Sequence, residues 1–143
     1  MSGEGSPASR GGPHPYGQGA RGSIRRLLSV LVAAASALVV WALAVPVAGV
    51  ALTVRMGGGT QVVGPMSVIV AGLAAGLAGW GLLAVLERSA SRPGRVWTFV
   101  AVAVLILSLL GPLGSAVGGA ATAVLIVMHL VVGAVLLAGL VRR

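Results

Sequence analysis

Four long apolar runs fill the chain from about Leu27 to Val141, and nearly every charged side chain lies in the gaps between them. A water-soluble core has no need of runs this long and this free of charge. The hydrocarbon core of a bilayer is about 30 Å thick and asks for roughly 20 apolar residues per helical crossing. The runs read as spans over residues 28–54, 65–86, 96–113 and 116–140. The fold expected is an all-α membrane protein, a four-transmembrane-helix bundle over residues 24–143 behind a disordered N-terminal tail, residues 1–23.

Composition narrows the class further. Only 8% of the residues are charged and 57% are hydrophobic, whereas soluble domains carry roughly 25% charged residues. The 143 residues allow one domain. Cysteine is absent, which excludes disulfides, thiolate metal sites and cysteine nucleophiles. The net charge of +8 comes wholly from arginine. These arginines flank the spans instead of forming one patch, so they read as topology signals and lipid-headgroup contacts, with no nucleic acid partner.

The tail is rich in Gly and Pro (Gly3, Gly5, Gly11, Gly12, Pro7, Pro13, Pro15) and has little to bury, so ordering it costs entropy without return. Its Pro13-His14-Pro15-Tyr16 reads as plain linker ahead of a docking motif. The first span would be about 40 Å long if wholly helical. Tilt, an interfacial end or a kink at Pro46 must absorb the excess. Arg25-Arg26, an apolar run and Ala42-Leu43-Ala44 also resemble a signal peptide cleaved near residue 44. The apolar run continues through Val50, so cleavage would leave an unburied stub, and a retained span is the better reading. Between the first two spans, Gly57-Gly58-Gly59 reads as a flexible connector. No Gly-Lys-Ser/Thr follows it, which argues against phosphate binding.

The arginines also give an orientation. Arg10, Arg21, Arg25 and Arg26 precede the first span, Arg88, Arg92 and Arg95 lie between the second and third, and Arg142-Arg143 follow the fourth. With four crossings these segments share one side, while the other holds only Arg55. The positive-inside rule puts both termini in the cytoplasm. Trp97, beside Arg95, reads as an interfacial anchor there, while Trp41 and Trp80 are expected to pack between helices.

Helices in lipid associate by close packing and occasional polar contacts. Gly72 and Gly76 form a Gly-x-x-x-Gly pair, and at 100° per residue Gly79, Trp80, Leu83 and Glu87 continue that side. It reads as the internal seam of the bundle, with a dimer face as the alternative. Glu87, at the end of this stripe, is a candidate interfacial ion pair with Arg26 or Arg142. In the fourth span His129 is the one ionisable residue deep in an apolar run. Thr122, Gly133, Gly118 and Ser115 lie near it on the helical projection, while Val124, Val127, Val131, Val135 and Ala138 suit lipid. His129 is therefore expected to point inward.

An inward intramembrane histidine is a functional candidate by default. It can relay a proton or contact a polar ligand. The plainer role is a structural hydrogen bond to Ser36 on the first span or Ser108 on the third, and this is the reading preferred. One histidine without a second ligand does not hold a metal. No nucleophile–base pair or acid pair is present, and Ser108 with His129 would lack a third residue to orient the imidazole, so no enzyme and no cofactor are expected.

Several stretches taken together carry a resemblance. They are Gly81-Leu82-Leu83-Ala84-Val85-Leu86-Glu87-Arg88, Arg95-Val96-Trp97, Leu107-Ser108-Leu109-Leu110-Gly111-Pro112 and His129-Leu130-Val131-Val132-Gly133-Ala134. Over residues 26–143 the chain resembles an uncharacterised, domain-of-unknown-function family of small actinobacterial four-span integral membrane proteins. The resemblance implies a bacterial plasma membrane and four helices, and no substrate.

The function expected is that of a small non-enzymatic membrane bundle or accessory subunit. Its partners are the lipid bilayer and itself or another membrane protein. The alternative is a small oligomeric transporter or channel using His129, although the only acids, Glu4 and Glu87, lie outside the middle of any span. A sensor whose tail binds a cytoplasmic partner is a further reading.

Overall fold

The structure, a computed structural model, describes residues 16–141, with side chains described for residues 19–140. Four helical rods run antiparallel. The first is α1 (Tyr16–Ala42), continued by a π-helical turn (Leu43–Val47). A hairpin of β1 (Thr53–Met56) and β2 (Gly59–Val62) follows. Then come α2 (Pro65–Ser89), α3 (Pro93–Ser108), the short α4 (Leu110–Ser115) and α5 (Gly119–Val141). Among the described residues four helices are long and apolar enough to cross a membrane: Gly19–Val47, Pro65–Ser89, Pro93–Ser115 and Gly119–Leu140. The protein is an all-α, multi-pass membrane bundle. α1 packs on α2 and α5, and α3 closes the ring by packing on the same two.

Local chemistry sets the ends of these elements. Pro65 and Pro93 open α2 and α3 within the first turn, where a missing N–H leaves no bond broken. Pro46 cannot donate to the helix, and the chain widens there into a π turn whose Ala48 N–H reaches back to the Leu43 carbonyl at 3.0 Å. Pro112 cannot donate to the Ser108 carbonyl and crowds it. The third rod accordingly breaks at Leu109, between α3 and α4.

Several boundaries differ from the sequence reading. Residues 16–23, read as tail, are the first turns of α1, while the remainder of the tail lies outside the described residues. The first span, expected to run to residue 54, leaves the helix at Val47, because Pro46 disrupts it and the chain beyond enters β1. The third span, expected to end at residue 113, breaks at Leu109, resumes as α4 and reaches Ser115, since its break falls one turn before the proline.

The connector at residues 55–64 is also ordered. Its strands pair antiparallel with Met56 opposite Gly59, and the two turn residues, Gly57 and Gly58, have φ of 57° and 83°. That is the geometry of a tight hairpin turn with both central residues left-handed. A side chain in that region costs roughly 1–2 kcal/mol. Gly58→Val is expected to lower stability by that amount and to speed amide exchange in both strands, measured by hydrogen exchange in detergent. β1 also pairs outward: Val54 bridges Ala116, and the Val117 N–H donates to the Thr53 carbonyl at 2.9 Å. The hairpin therefore ties the α1–α2 connection to the α4–α5 junction.

Two apolar clusters fill the interior. One, near the hairpin, joins Ala37, Ala44, Leu52, Val68, Leu125 and Met128. The other, toward the arginine-rich end, joins Ala33, Leu83, Trp97, Leu136 and Leu140.

Candidate functional site

The closest helix contacts form the α1–α2 seam. A β-carbon placed on Gly72 would lie 3.0 Å from the Ala34 Cα, and one on Gly76 would lie 2.6 Å from the Val30 Cγ1. Both glycines are thus covered by α1 of the same chain. Gly133 faces the Leu105 side chain of α3, and Gly79 sits beneath Trp97 and Leu140 with ordinary spacing. Gly139 faces Ser29 of α1 just as closely as the seam glycines. Sequence reasoning missed Gly139. It borders the Leu136–Leu140 ridge, but nothing within α5 says which turn meets a neighbour.

At the arginine-rich end of the seam, Arg26 grips Glu87 through both guanidinium nitrogens, Nη2 to Oε1 at 2.5 Å and Nη1 to Oε2 at 3.0 Å. Arg142, the other partner considered, lies outside the described residues. Both side chains are partly exposed, 28% and 37%, so water screens the pair. A double-mutant cycle of Arg26→Gln and Glu87→Gln, followed by thermal unfolding in detergent, is expected to give a coupling of about 0.5–1 kcal/mol.

The polar residues of the spans are not brought together. The His129 Nδ1–H donates to the Leu125 carbonyl at 2.7 Å. The hydroxyls of Ser36, Ser108 and Thr122 donate to the carbonyls of Val32 (2.7 Å), Leu105 (2.7 Å) and Gly118 (3.0 Å). Each satisfies itself within its own helical turn, so the expected bond from His129 to Ser36 or Ser108 is not formed. His129 also sits at the edge of the core instead of pointing into it. The buried line of α5 is Ala121, Leu125, Met128, Leu136 and Leu140. The reason lies in the partner. α1 and its π-helical extension supply the small residues, Ala33, Ala37 and Ala44, and α5 answers with large ones. For the same reason Val124 and Val135, assigned to lipid, pack against the two clusters, while Val127 stays exposed.

One tryptophan also departs from expectation. Trp97 is only 1% exposed, and its Nε1–H donates to the Gly79 carbonyl at 3.0 Å. The glycine leaves room for the indole to enter the bundle, so Trp97 is a core residue and not an interfacial anchor. Trp41 packs against the cluster near the hairpin, as expected, and its Nε1–H donates to the Val63 carbonyl at 2.8 Å. Trp80 packs against the cluster around Trp97.

Among the described residues no group of three His, Cys, Asp or Glu is placed to hold a metal ion. A shallow groove on the outer face of α3 is lined by Gly94, Arg95, Thr98, Phe99 and Val102. No curated protein and no solved structure matches the chain. A family model does match, covering residues 18–143 and so all four spans, and the chain therefore belongs to the family of unknown function DUF6069.

Proposed function

We propose that this protein is a non-enzymatic helical scaffold or accessory subunit of a bacterial plasma membrane, with both termini in the cytoplasm. The observation that carries the reading is how the bundle closes. Glycines let α1 and α2 meet at van der Waals contact, an ion pair clamps the end of that seam, and the span hydroxyls serve their own backbone. Such an arrangement holds a shape. The bacterial membrane is supported by the resemblance of its apolar segments to small actinobacterial proteins. The orientation is supported by Arg21, Arg25, Arg26, Arg88, Arg92 and Arg95, which the topology gathers at one end, with Arg55 alone at the other. Its partners are the bilayer and a second membrane protein or a second copy.

One observation favours a transporter or channel as the second reading. Because the His129 Nδ1–H serves Leu125, the Nε2 lone pair is left to accept a proton or a polar ligand. Reconstitution in liposomes separates the two. The scaffold predicts proton and ion flux equal to protein-free liposomes, and equal again with His129→Ala. Flux above background that His129→Ala abolishes would replace it with the transporter. Reporter fusions at both termini are expected on the cytoplasmic face, and a reporter inserted at Gly58 on the opposite one.

A further inference from the structure

α3 is the least covered of the four rods. Along its outer face Phe99 is 74% exposed, Val102 39% and Ile106 61%. These residues follow Arg95 at spacings of four, three and four, so all four share one helical stripe. The upper part of that stripe is concave, the groove of Gly94, Arg95, Thr98, Phe99 and Val102. The Thr98 hydroxyl is engaged by the Gly94 carbonyl at 2.8 Å, which leaves the Arg95 guanidinium as the polar group presented at the mouth. Among the described residues the one acidic side chain, Glu87, is taken by Arg26 on both oxygens. Arg88, Arg92 and Arg95 therefore flank the α2–α3 junction with no acidic side chain among the described residues left to pair with them. The charge calls for an anion, and the surface below it calls for hydrocarbon. From Arg95 to Ile106 the helix rises about 16 Å, about half of a hydrocarbon core roughly 30 Å thick. That is the depth of one leaflet.

We propose that this face of α3 is a binding site for an anionic phospholipid. Arg95 receives the headgroup phosphate, Arg92 and Arg88 add to the field, and Phe99, Val102 and Ile106 carry one acyl chain. A soluble phosphate would use the charge and leave the groove empty, whereas a zwitterionic lipid would use the groove and bring no net charge. The site does not depend on which side of the membrane the arginine-rich end faces.

The test is native mass spectrometry of the full-length protein in detergent, titrated with phosphatidylglycerol, phosphatidylcholine of the same chains, or glycerol 3-phosphate. Wild type is expected to retain phosphatidylglycerol in preference to both others. Arg95→Gln should weaken phosphatidylglycerol binding about fivefold, the equivalent of about 1 kcal/mol per basic residue at a membrane surface, and leave phosphatidylcholine unchanged. Phe99→Ala should weaken both lipids. Arg55→Gln, on the hairpin at the other end, should change neither. Equal phosphatidylglycerol binding by wild type and Arg95→Gln overturns the proposal. So does an equal loss with Arg55→Gln, or glycerol 3-phosphate binding as tightly as the lipid. Both exposed positions leave the buried clusters intact, and matching unfolding temperatures confirm a folded comparison.

Discussion

Trp97→Ala is expected to cost about 3 kcal/mol, the largest loss from any single truncation in the bundle. The indole is nearly fully enclosed between Leu83, Leu136, Leu140 and Ala33, and its N–H satisfies the Gly79 carbonyl. Replacing a buried aromatic residue by alanine costs about 3–5 kcal/mol in soluble cores, where lost transfer free energy and the residual cavity both contribute. Between helices in lipid the transfer part shrinks, because the acyl chains are as apolar as the protein. The void remains and the Gly79 carbonyl keeps only its helical partner, which places the effect near the lower end. Trp97→Phe keeps most of the volume and loses the hydrogen bond, so about 1 kcal/mol is expected. Equilibrium unfolding by SDS titration in mixed micelles measures both. An unchanged midpoint for Trp97→Ala would mean that the indole is not in the core.

The second large effect lies in the glycine seam. Gly76→Ala puts a methyl group 2.6 Å from the Val30 Cγ1, and a β-branched side chain has little freedom to turn aside. The expected loss is about 1–3 kcal/mol, the range for overpacked cores. Val30→Ala in the same chain should recover most of it, since the obstacle is a side chain. Gly72→Ala should be harder to rescue. There the new carbon meets the Ala34 Cα at 3.0 Å, and a backbone retreats only if the helices part. Two other glycines set the scale. Gly79→Ala finds its nearest neighbour at 3.6 Å and should fall within about 0.5 kcal/mol of wild type. Gly133→Ala meets the end of the Leu105 side chain, its two methyls 2.8 and 2.9 Å away and its Cγ 3.3 Å away, and this flexible end can rotate aside. The same SDS titration ranks all four. Equal losses at Gly76 and Gly79 would contradict the seam.

The features that were legible before any coordinates are those set by the bilayer and by charge. The four rods follow from apolar length, and the gathering of Arg21, Arg25, Arg26, Arg88, Arg92 and Arg95 at one end follows from their places in the gaps. Glu87 could be placed near Arg26 because both sit where a span meets a charged gap. What was not legible depends on the partner helix. α5 is apolar around its whole circumference, so periodicity carries no contrast between a face toward lipid and a face toward protein. Its small residues suggested an inner face around His129, and Gly133 of that stripe does meet Leu105 of α3, whereas toward α1 the small residues stand on the partner at Ala33 and Ala37. Trp97 was misassigned because aromatic residues near arginines favour interfaces, and only the facing Gly79 reveals that the indole has somewhere else to go. The hairpin did carry a signal. Gly57-Gly58 between Val54 and Val62 is a turn pair with strand-formers on either side, overshadowed by the glycine content of the loop.

The pairing of β1 with Ala116 and Val117 has a consequence for biogenesis. Its two halves are separated by all of α2 and α3, so β1, already paired with β2 on one edge, must wait for its second partner until both helices are made. Only when the third rod has delivered Ala116 to the same face can these main-chain bonds form. A nascent chain with one crossing missing or inverted would leave Thr53 and Val54 with β2 as their one strand partner. The latch therefore closes late, once both connections have reached the same end of the bundle.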